Sequence, residues 1–287
     1  MARFLIQCVV VLYKQRPRES KALSALLRIF RSEATIASQV AIVVQDNSPL
    51  AQEFILDAPE MGHHICIEYH HAPGNPGLAY AYNSALALAN ERDIPWLLLL
   101  DQDTCVTDQF LTQLLAATQK TSSQEYCAFV PQLVRDDLVL SPQIVGKVFY
   151  RRMPSGASGL ATEPIIAFNS AACIRVLALT AIGGFPKEFW LDYLDHMVFY
   201  RLQEAGGRVF VLDSQLAHSL SMANMESEVS NERYGNVLRA EWMFVRKTGW
   251  GGGSVVHRFR LLKRAVSHSV KLHNKSYALQ TLRSVFS

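Results

Sequence analysis

No apolar run in this sequence approaches the roughly 20 residues that span a bilayer, so a transmembrane anchor is not expected. Cysteine is sparse. Cys8, Cys66, Cys105, Cys127 and Cys173 are odd in number and scattered, which gives neither the close spacing of a zinc site nor a disulfide framework. A reducing cytosol is the simplest setting. Met1 to Val11 is short and apolar, with Lys14, Arg16 and Arg18 after it. It lacks a basic leading stretch and a small-residue cleavage site, so a buried strand is expected there and not a secretion signal. Internal repeats are missing too. Acidic residues are missing after Glu241, where nine of the 28 Lys and Arg lie. The remainder, with 19 basic and 25 acidic residues, carries a formal charge of −6 although the whole chain is +3. An acidic body with a basic tail implies either an anionic partner at the C-terminal end or a solvated basic helix. Nothing implies nucleic acid.

What is present is ample apolar material: 49% of 287 residues, enough for one large α/β domain with an appendage. Phe4 to Leu12, Val40 to Val44 and Trp96 to Leu100 are short apolar runs, as expected of strands buried on both faces, and Cys66 to Tyr69 and Cys127 to Val130 are expected as the third and fifth strands. Between them, Ser20 to Phe30, Leu78 to Asn90 and a segment capped by Thr107 or Asp108 and running to about Lys120 have helical spacing. This alternation predicts a doubly wound, mostly parallel sheet. Ligands of such sheets bind beyond the carboxyl ends of the strands, so Tyr13, Asp46, Asp101 and Asp103 are expected on one rim. The second half is less regular. Strands are expected over Gly146 to Arg152, Ile165 to Phe168 and Arg208 to Leu212, and helices over Asp192 to Glu204, Arg233 to Arg246 and Val255 to about Phe286.

Five groups of residues carry chemistry. Leu97-Leu98-Leu99-Leu100-Asp101-Gln102-Asp103 ends a buried strand in two carboxylates, a hard oxygen set suited to Mg²⁺ or Mn²⁺ with substrate phosphates. The same arrangement also occurs as a solvated strand cap. In Val43-Val44-Gln45-Asp46-Asn47-Ser48, Asp46 either accepts hydrogen bonds from a base or ribose or closes an Asx turn. Gly74-Asn75-Pro76-Gly77 leads into a helix that carries Asn83. It is either a close approach to phosphate or a turn before a packing helix. In Phe189-Trp190-Leu191-Asp192-Tyr193-Leu194-Asp195-His196, Asp192 and Asp195 are spaced to share a helix face. They supply either a general base or a helix cap. His218 is either a third metal ligand or an inert loop histidine.

The order of these groups, over roughly Phe4 to Arg246, resembles the family 2 glycosyltransferases of GT-A fold. The wording of Leu-Leu-Leu-Asp-Gln-Asp-Thr and Phe-Trp-Leu-Asp-Tyr-Leu-Asp looks most like the rhamnosyltransferase branch. The resemblance implies a glycosyltransferase domain over 1–248, with a nucleotide-binding half (1–130) and an acceptor-binding half (131–248). A basic helical appendage follows over 249–287. It implies donor-nucleotide contacts from Tyr13, Asp46, Asn75, Gly77, Asn83, Asp101 and Gln102. Asp103 would be the main metal ligand, with Asp101 and His218 beside it. Asp195 would be the catalytic base, and Ser170, Trp190 and Asp192 would lie on the acceptor side. The implied reaction is an inverting displacement that moves a sugar, rhamnose from dTDP-rhamnose, to a hydroxyl of a growing lipid-linked glycan. It would take place at the inner face of the cytoplasmic membrane. The chain departs from the family pattern in having Ala171 after Ser170, His196-Met197 after Asp195, and Ala240 after Arg239.

Two other readings use the same residues. Asp-x-Asp after an apolar strand also marks aspartyl-phosphate phosphatases, but those carry Thr where this chain has Cys105. A sugar-nucleotide-binding module without turnover would keep the rim and not need Asp195. In the tail, Leu262, Val266 and Val270 recur every four residues, with Lys263 and Arg264 alongside. That stripe is expected either to lie on an anionic membrane or to pack on the protein or in an oligomer.

Overall fold

The computed structural model describes residues 4–54, 65–120, 125–218 and 229–286. In chain order the strands are β1 (Ile6–Leu12), β2 (Val40–Asp46), β3 (Cys66–His71), β4 (Trp96–Asp101), β5 (Tyr126–Arg135), β6 (Leu138–Ser141), β7 (Gln143–Val145), β8 (Tyr150–Arg152), β9 (Gly159–Leu160), β10 (Ile165–Ile166), β11 (Cys173–Arg175) and β12 (Arg208–Ala217). The helices are α1 (Lys21–Ser32), α2 (Ala34–Ala37), α3 (Leu78–Glu91), α4 (Asp108–Gln119), α5 (Val176–Ala181), α6 (Leu194–Glu204), α7 (Asn231–Thr248), α8 (Gly253–Lys271) and α9 (Ser276–Val285). Two compact units emerge: Met1–Ile144 with Arg152–His218, and Val145–Arg151 with Ser219–Ser287. The division falls at residue 218, so α7 groups with the C-terminal helices, whereas the sequence reading drew its line after 248.

In the first unit the sheet order is β3-β2-β1-β4-β11-β5-β12-β9, with β6 on β5. β1 is parallel to β2 and β4, and β12 is parallel to β5. β11 is antiparallel to both of its neighbours, which leaves β4 and β5 running the same way. The continuous apolar runs arise because both faces are covered. Ile6, Cys8, Val10 and Leu12 of β1 join a core with Leu23, Leu26 and Phe30 of α1 and Phe110 and Leu114 of α4. On the other face the buried Gln7 donates its side-chain amide to the Ala85 carbonyl of α3.

Register makes the rim. Leu12 lies opposite Asp46, and Val11 opposite Asp101, so the three strands end level. His71 of β3 lies opposite Asp46. At the far side the His218 N–H continues β12 by donating to the Val134 carbonyl at 2.9 Å. The parallel arrangement therefore brings Asp46, Asp101 and His218 to one end of the sheet.

Several expected elements differ. The strand expected over 146–152 is reduced to β8, because the chain turns just before it, with the Gly146 N–H donating to the Phe149 carbonyl. The helix expected from Asp192 begins at Leu194, with Tyr193 at its N-cap in a left-handed conformation (φ 61°) and without a side-chain cap. Asp192 and Asp195 therefore share no helical face, and Asp192 does not cap. The tail is two helices and not one, because the backbone turns extended at Leu272.

The second unit has its own core, in which Tyr234, Leu238 and Trp242 of α7 pack with Leu261 of α8 and Tyr277 and Val285 of α9. Its buried carboxylate and indole are matched. Arg264 donates two hydrogen bonds to the buried Glu241 carboxylate, at 2.6 and 2.9 Å, and the Trp242 indole N–H reaches the Ser284 carbonyl at 2.6 Å. Among the described residues no helix is long and apolar enough to cross a membrane.

Candidate active site

The end of β4 is the centre of the rim. Asp101 is held from two sides: Ser170 Oγ donates to one carboxylate oxygen at 2.5 Å, and the Tyr82 hydroxyl approaches the other at 3.4 Å. Thr104 Oγ1 accepts from the Asp101 N–H and lies 3.1 Å from Ser170 Oγ. Burial raises the Asp101 carboxyl above its ordinary range. The Ser170 bond opposes this, Asp103 adds to it, and His218 and Tyr82 oppose it. His218 is thus an electrostatic neighbour of Asp101, although the two are remote in sequence. Asp103 is exposed. Ser170 reaches Asp101 because Ala171 adopts a left-handed backbone (φ 63°), where a glycine fits and an L residue costs about 1–2 kcal/mol. The turn that presents Ser170 is therefore kept at some strain.

Gln102 organises the loop beyond β1. Its side-chain carbonyl accepts from the Tyr13 N–H, and its backbone carbonyl accepts from Ser20 Oγ and the Ala22 N–H at the start of α1. Asp46 is completely buried, and donors within the protein engage both its oxygens: the N–H groups of Ser48 and Gln52, and Tyr69 Oη at 2.5 Å. Burial would raise its carboxyl, but these bonds win and hold it below the ordinary range. The Asx turn is therefore formed, with a tyrosine added.

The Gly74–Gly77 turn and α3 form a clamp. Asn83 donates to the Phe185 carbonyl at 2.7 Å and accepts from the Phe185 N–H at 2.9 Å, so its amide closes on one residue 102 positions away. Gly77 has φ 89°, and a methyl group there would sit 2.3 Å from the Trp190 ring. The Leu78 N–H, the first of α3, donates to the Trp190 carbonyl, and the Trp190 indole N–H donates to the Asn75 carbonyl. In this arrangement Asn75, Gly77 and Asn83 hold the segment that leads to Asp195. Asp195 lies in the first turn of α6, and one of its oxygens accepts from the His196 N–H and meets His196 Nδ1, both at 2.8 Å. The charge of Asp195 reaches Tyr82, whose hydroxyl is pushed well up by burial first and then by Asp101. Tyr82 thus reaches the strand-end carboxylate and feels the field of the helix-start one.

A model of glycosyl transferase family 2 matches residues 9–156, just over half of the chain. The chain belongs to glycosyl transferase family 2. By structure it is similar to TarS 1-349 of S. aureus in complex with UDP: TM-score 0.58, 13% identity, covering 98% of this chain and 80% of that one. It is also similar to the mannosyltransferase PcManGT of Pyrobaculum calidifontis in complex with GDP-Man and Mn²⁺: TM-score 0.56, 14% identity, 99% and 74% covered. A third likeness is to GalNAc-T7 with UDP, GalNAc and Mn²⁺: TM-score 0.52, 12% identity, 99% and 56% covered. At these identities the likeness speaks for the fold, which is GT-A. No curated protein matches the chain by sequence.

The rim brings Asp101, Ser170 and Tyr82 into contact, with His218 in electrostatic reach of Asp101 and Asp195 in that of Tyr82. Among the described residues no three His, Cys, Asp or Glu side chains form a closed metal cluster. An open oxygen pair is nonetheless the chemistry suited to Mg²⁺ or Mn²⁺, which take one or two carboxylates and leave the other positions to substrate phosphates and water. Tyr82, Tyr69 and Thr104 were not singled out from sequence. A buried tyrosine needs a hydrogen-bond partner, and that was the available signal for Tyr82 and Tyr69.

Proposed function

We propose that this family 2 glycosyltransferase is an inverting, metal-dependent enzyme that moves L-rhamnose from dTDP-rhamnose to a hydroxyl of a growing lipid-linked glycan. The observation that carries the chemistry is the position of Tyr82, within hydrogen-bond reach of Asp101 and within the field of Asp195. This supports a reading in which Asp101 and Asp195 serve one site with different duties. The donor and acceptor rest on the resemblance of the 97–104 and 189–195 motifs to the rhamnosyltransferase branch. Support for a nucleotide-sugar donor and a divalent ion comes from similar folds solved with UDP, GDP-Man and Mn²⁺.

Asp103, exposed at the strand end, is the direct metal ligand in this reading. Asp101, engaged by Ser170 and Tyr82, adds negative field from behind, and His218 is a further contact to metal or diphosphate. A bound Mg²⁺ or Mn²⁺ would offset the charge that develops on the departing nucleoside diphosphate. Asp195 takes the acceptor's hydroxyl proton on the oxygen that His196 does not hold. As it does so, the acceptor oxygen bonds to the anomeric carbon and the bond from that carbon to the diphosphate breaks on the opposite face. The Asn83–Phe185 and Trp190–Asn75 bonds hold the segment that leads to Asp195.

Asp195→Asn tests the reading. It should fold and bind donor while transfer falls by about 10²–10⁴, the usual worth of a general base. Asp192→Asn should keep most of its turnover. The reverse pattern would move the base to Asp192. A panel of nucleotide-sugars, screened for Mn²⁺-dependent thermal stabilisation, identifies the donor, and dTDP-rhamnose is expected to give the largest shift.

A further inference from the structure

The C-terminal helices bury one face and expose another that is also apolar. On α8, His257, Leu261 and Ala265 are buried, whereas Val255, Phe259, Leu262, Val266 and Val270 are exposed, from 37% at Leu262 to 78% at Val270. At 3.6 residues per turn these five fall within about 80° of arc, nearly opposite the buried face. Helix α9 repeats the pattern: Tyr277, Thr281 and Val285 are buried, and Leu279, Leu282 and the following Phe286 are exposed. The sequence alone left it open whether the stripe at 262, 266 and 270 packs on the protein. Within the second unit the packing is done by other residues.

The flanks of the stripe are cationic. Arg258 borders it on one side and Lys263 on the other, both exposed. No acidic residue follows Glu241, and the Glu241 carboxylate is already held by two bonds from Arg264. A second copy of the chain laid stripe to stripe would bring these basic flanks together with no carboxylate in the segment to balance them. An anionic lipid surface balances them in any orientation, and it takes the apolar side chains at the boundary of headgroups and acyl chains. We propose that the exposed face of α8, extended by α9, docks the protein on an anionic membrane surface. The inference names where the proposed lipid-linked acceptor is met, and in that respect rests on that reading. Docking itself needs neither donor nor acceptor.

Full-length protein and vesicles of phosphatidylcholine, with and without phosphatidylglycerol, make the test. Co-sedimentation should occur with the anionic vesicles only and weaken as salt rises. Phe259→Ser with Val266→Ser should lower binding by at least about tenfold, because the apolar wedge is lost. Lys263→Glu should lower it by roughly fivefold or more, the worth of one cation at such a surface. Circular dichroism and turnover on a soluble acceptor should be unchanged in all variants, since none lies in the catalytic unit. Loss of transfer with vesicle binding intact would count against the enzymatic reading alone. The docking proposal is overturned if the intact protein ignores anionic vesicles at low salt, or if the serine variant binds as the parent does. It is equally overturned if sedimentation velocity shows a dimer that the serine variant abolishes.

Discussion

Asn83→Ala separates the two duties that the Asn83 position can have. The sequence reading makes Asn83 a donor contact, whereas the structure closes both ends of its amide on the Phe185 backbone. Phe185 is 1% exposed, so alanine leaves a buried N–H and a buried C=O without partners. Each such loss costs about 1–3 kcal/mol, and water entering beside the half-buried Asn83 position would bring the sum to the lower end, about 2–3 kcal/mol. For a chain of this size that lowers Tm by roughly 4–10 °C. The Gly184 turn loosens with it, since Gly184 sits at φ 76° with the Asn83 side chain where its own Cβ would be. Asp195 lies ten residues on, and a displacement of about 1 Å is enough to cost on the order of 10²-fold in rate. The expected signature is a lower Tm and a lower kcat with an unchanged Kd for the nucleoside diphosphate. Asn83→Asp is a sharper control. It keeps the shape and the acceptor for the Phe185 N–H but faces the Phe185 carbonyl with another oxygen, so it should lose at least as much turnover. The measurements are thermal unfolding, single-turnover transfer and calorimetry with nucleoside diphosphate. An unchanged Tm together with a tenfold weaker Kd would refute the clamp and return Asn83 to the donor site.

Asp103→Ala should abolish transfer and remove the Mg²⁺ or Mn²⁺ dependence of nucleoside-diphosphate binding. Calorimetry with and without metal checks this, and metal-independent, unchanged binding in the mutant would remove Asp103 from the metal site. Gly77→Ala should lose stability and turnover together, because the added methyl meets Trp190 at 2.3 Å in a backbone with φ 89°; a Tm equal to the parent's would show that the Trp190 contact does not form. In the second unit, His257 is completely buried and held at about 4 against an ordinary 6.5, by burial first, with Glu241 opposing and Arg260 and Arg264 adding. A histidine depressed in this way stabilises the fold above its unfolded value, and that stability is lost as pH falls from about 6.5 towards 4. At about 1.4 kcal/mol per tenfold change in proton affinity, the loss is at most roughly 3.5 kcal/mol. Denaturant midpoints for the parent and His257→Leu across that range measure it, and equal pH slopes in both would exclude His257 as the source.

The first half of the fold was legible because β1, β2 and β4 are buried on both faces and read as nearly continuous apolar runs. Where a strand carries buried polar residues the reading stopped early. β5 was expected to end at Val130 but continues to Arg135 through Pro131 and Gln132. Gln132 is 1% exposed and looks like a loop residue, yet its side chain is fully employed, donating to the Pro154 carbonyl and accepting from the Gly156 N–H. β12 was cut at Leu212 for a related reason: its pairing with β5 is irregular between Val211 and Gln215, and the polar Asp213, Ser214 and Gln215 hide the continuation. β11 is three residues long and offers too little pattern to find.

The site was legible as a list of residues and not as a set of duties. Asp46, Gln102, Asn75, Gly77 and Asn83 all stand at the rim or next to it, but each is committed to a contact within the protein. A motif cannot separate a ligand from the residue that builds the ligand's surroundings, because both need the same hydrogen-bonding side chain in the same place. Burial can separate them. Asp101 and Asp103 are two residues apart; one is engaged by Ser170 and Tyr82 with its carboxyl raised, and the other faces solvent. His218 is the neighbour of Asp101 that offsets negative charge by its field, against Asp103 which adds to it. Any excess of negative charge at the strand end sits in a partly dry place, which is unfavourable by itself. A divalent cation would relieve that excess and, once bound, would present positive charge to a diphosphate. The same carboxylates would then attract the ion and leave it open on the substrate side. This is why an open pair, and not a closed cluster, is the arrangement suited to a group that must leave.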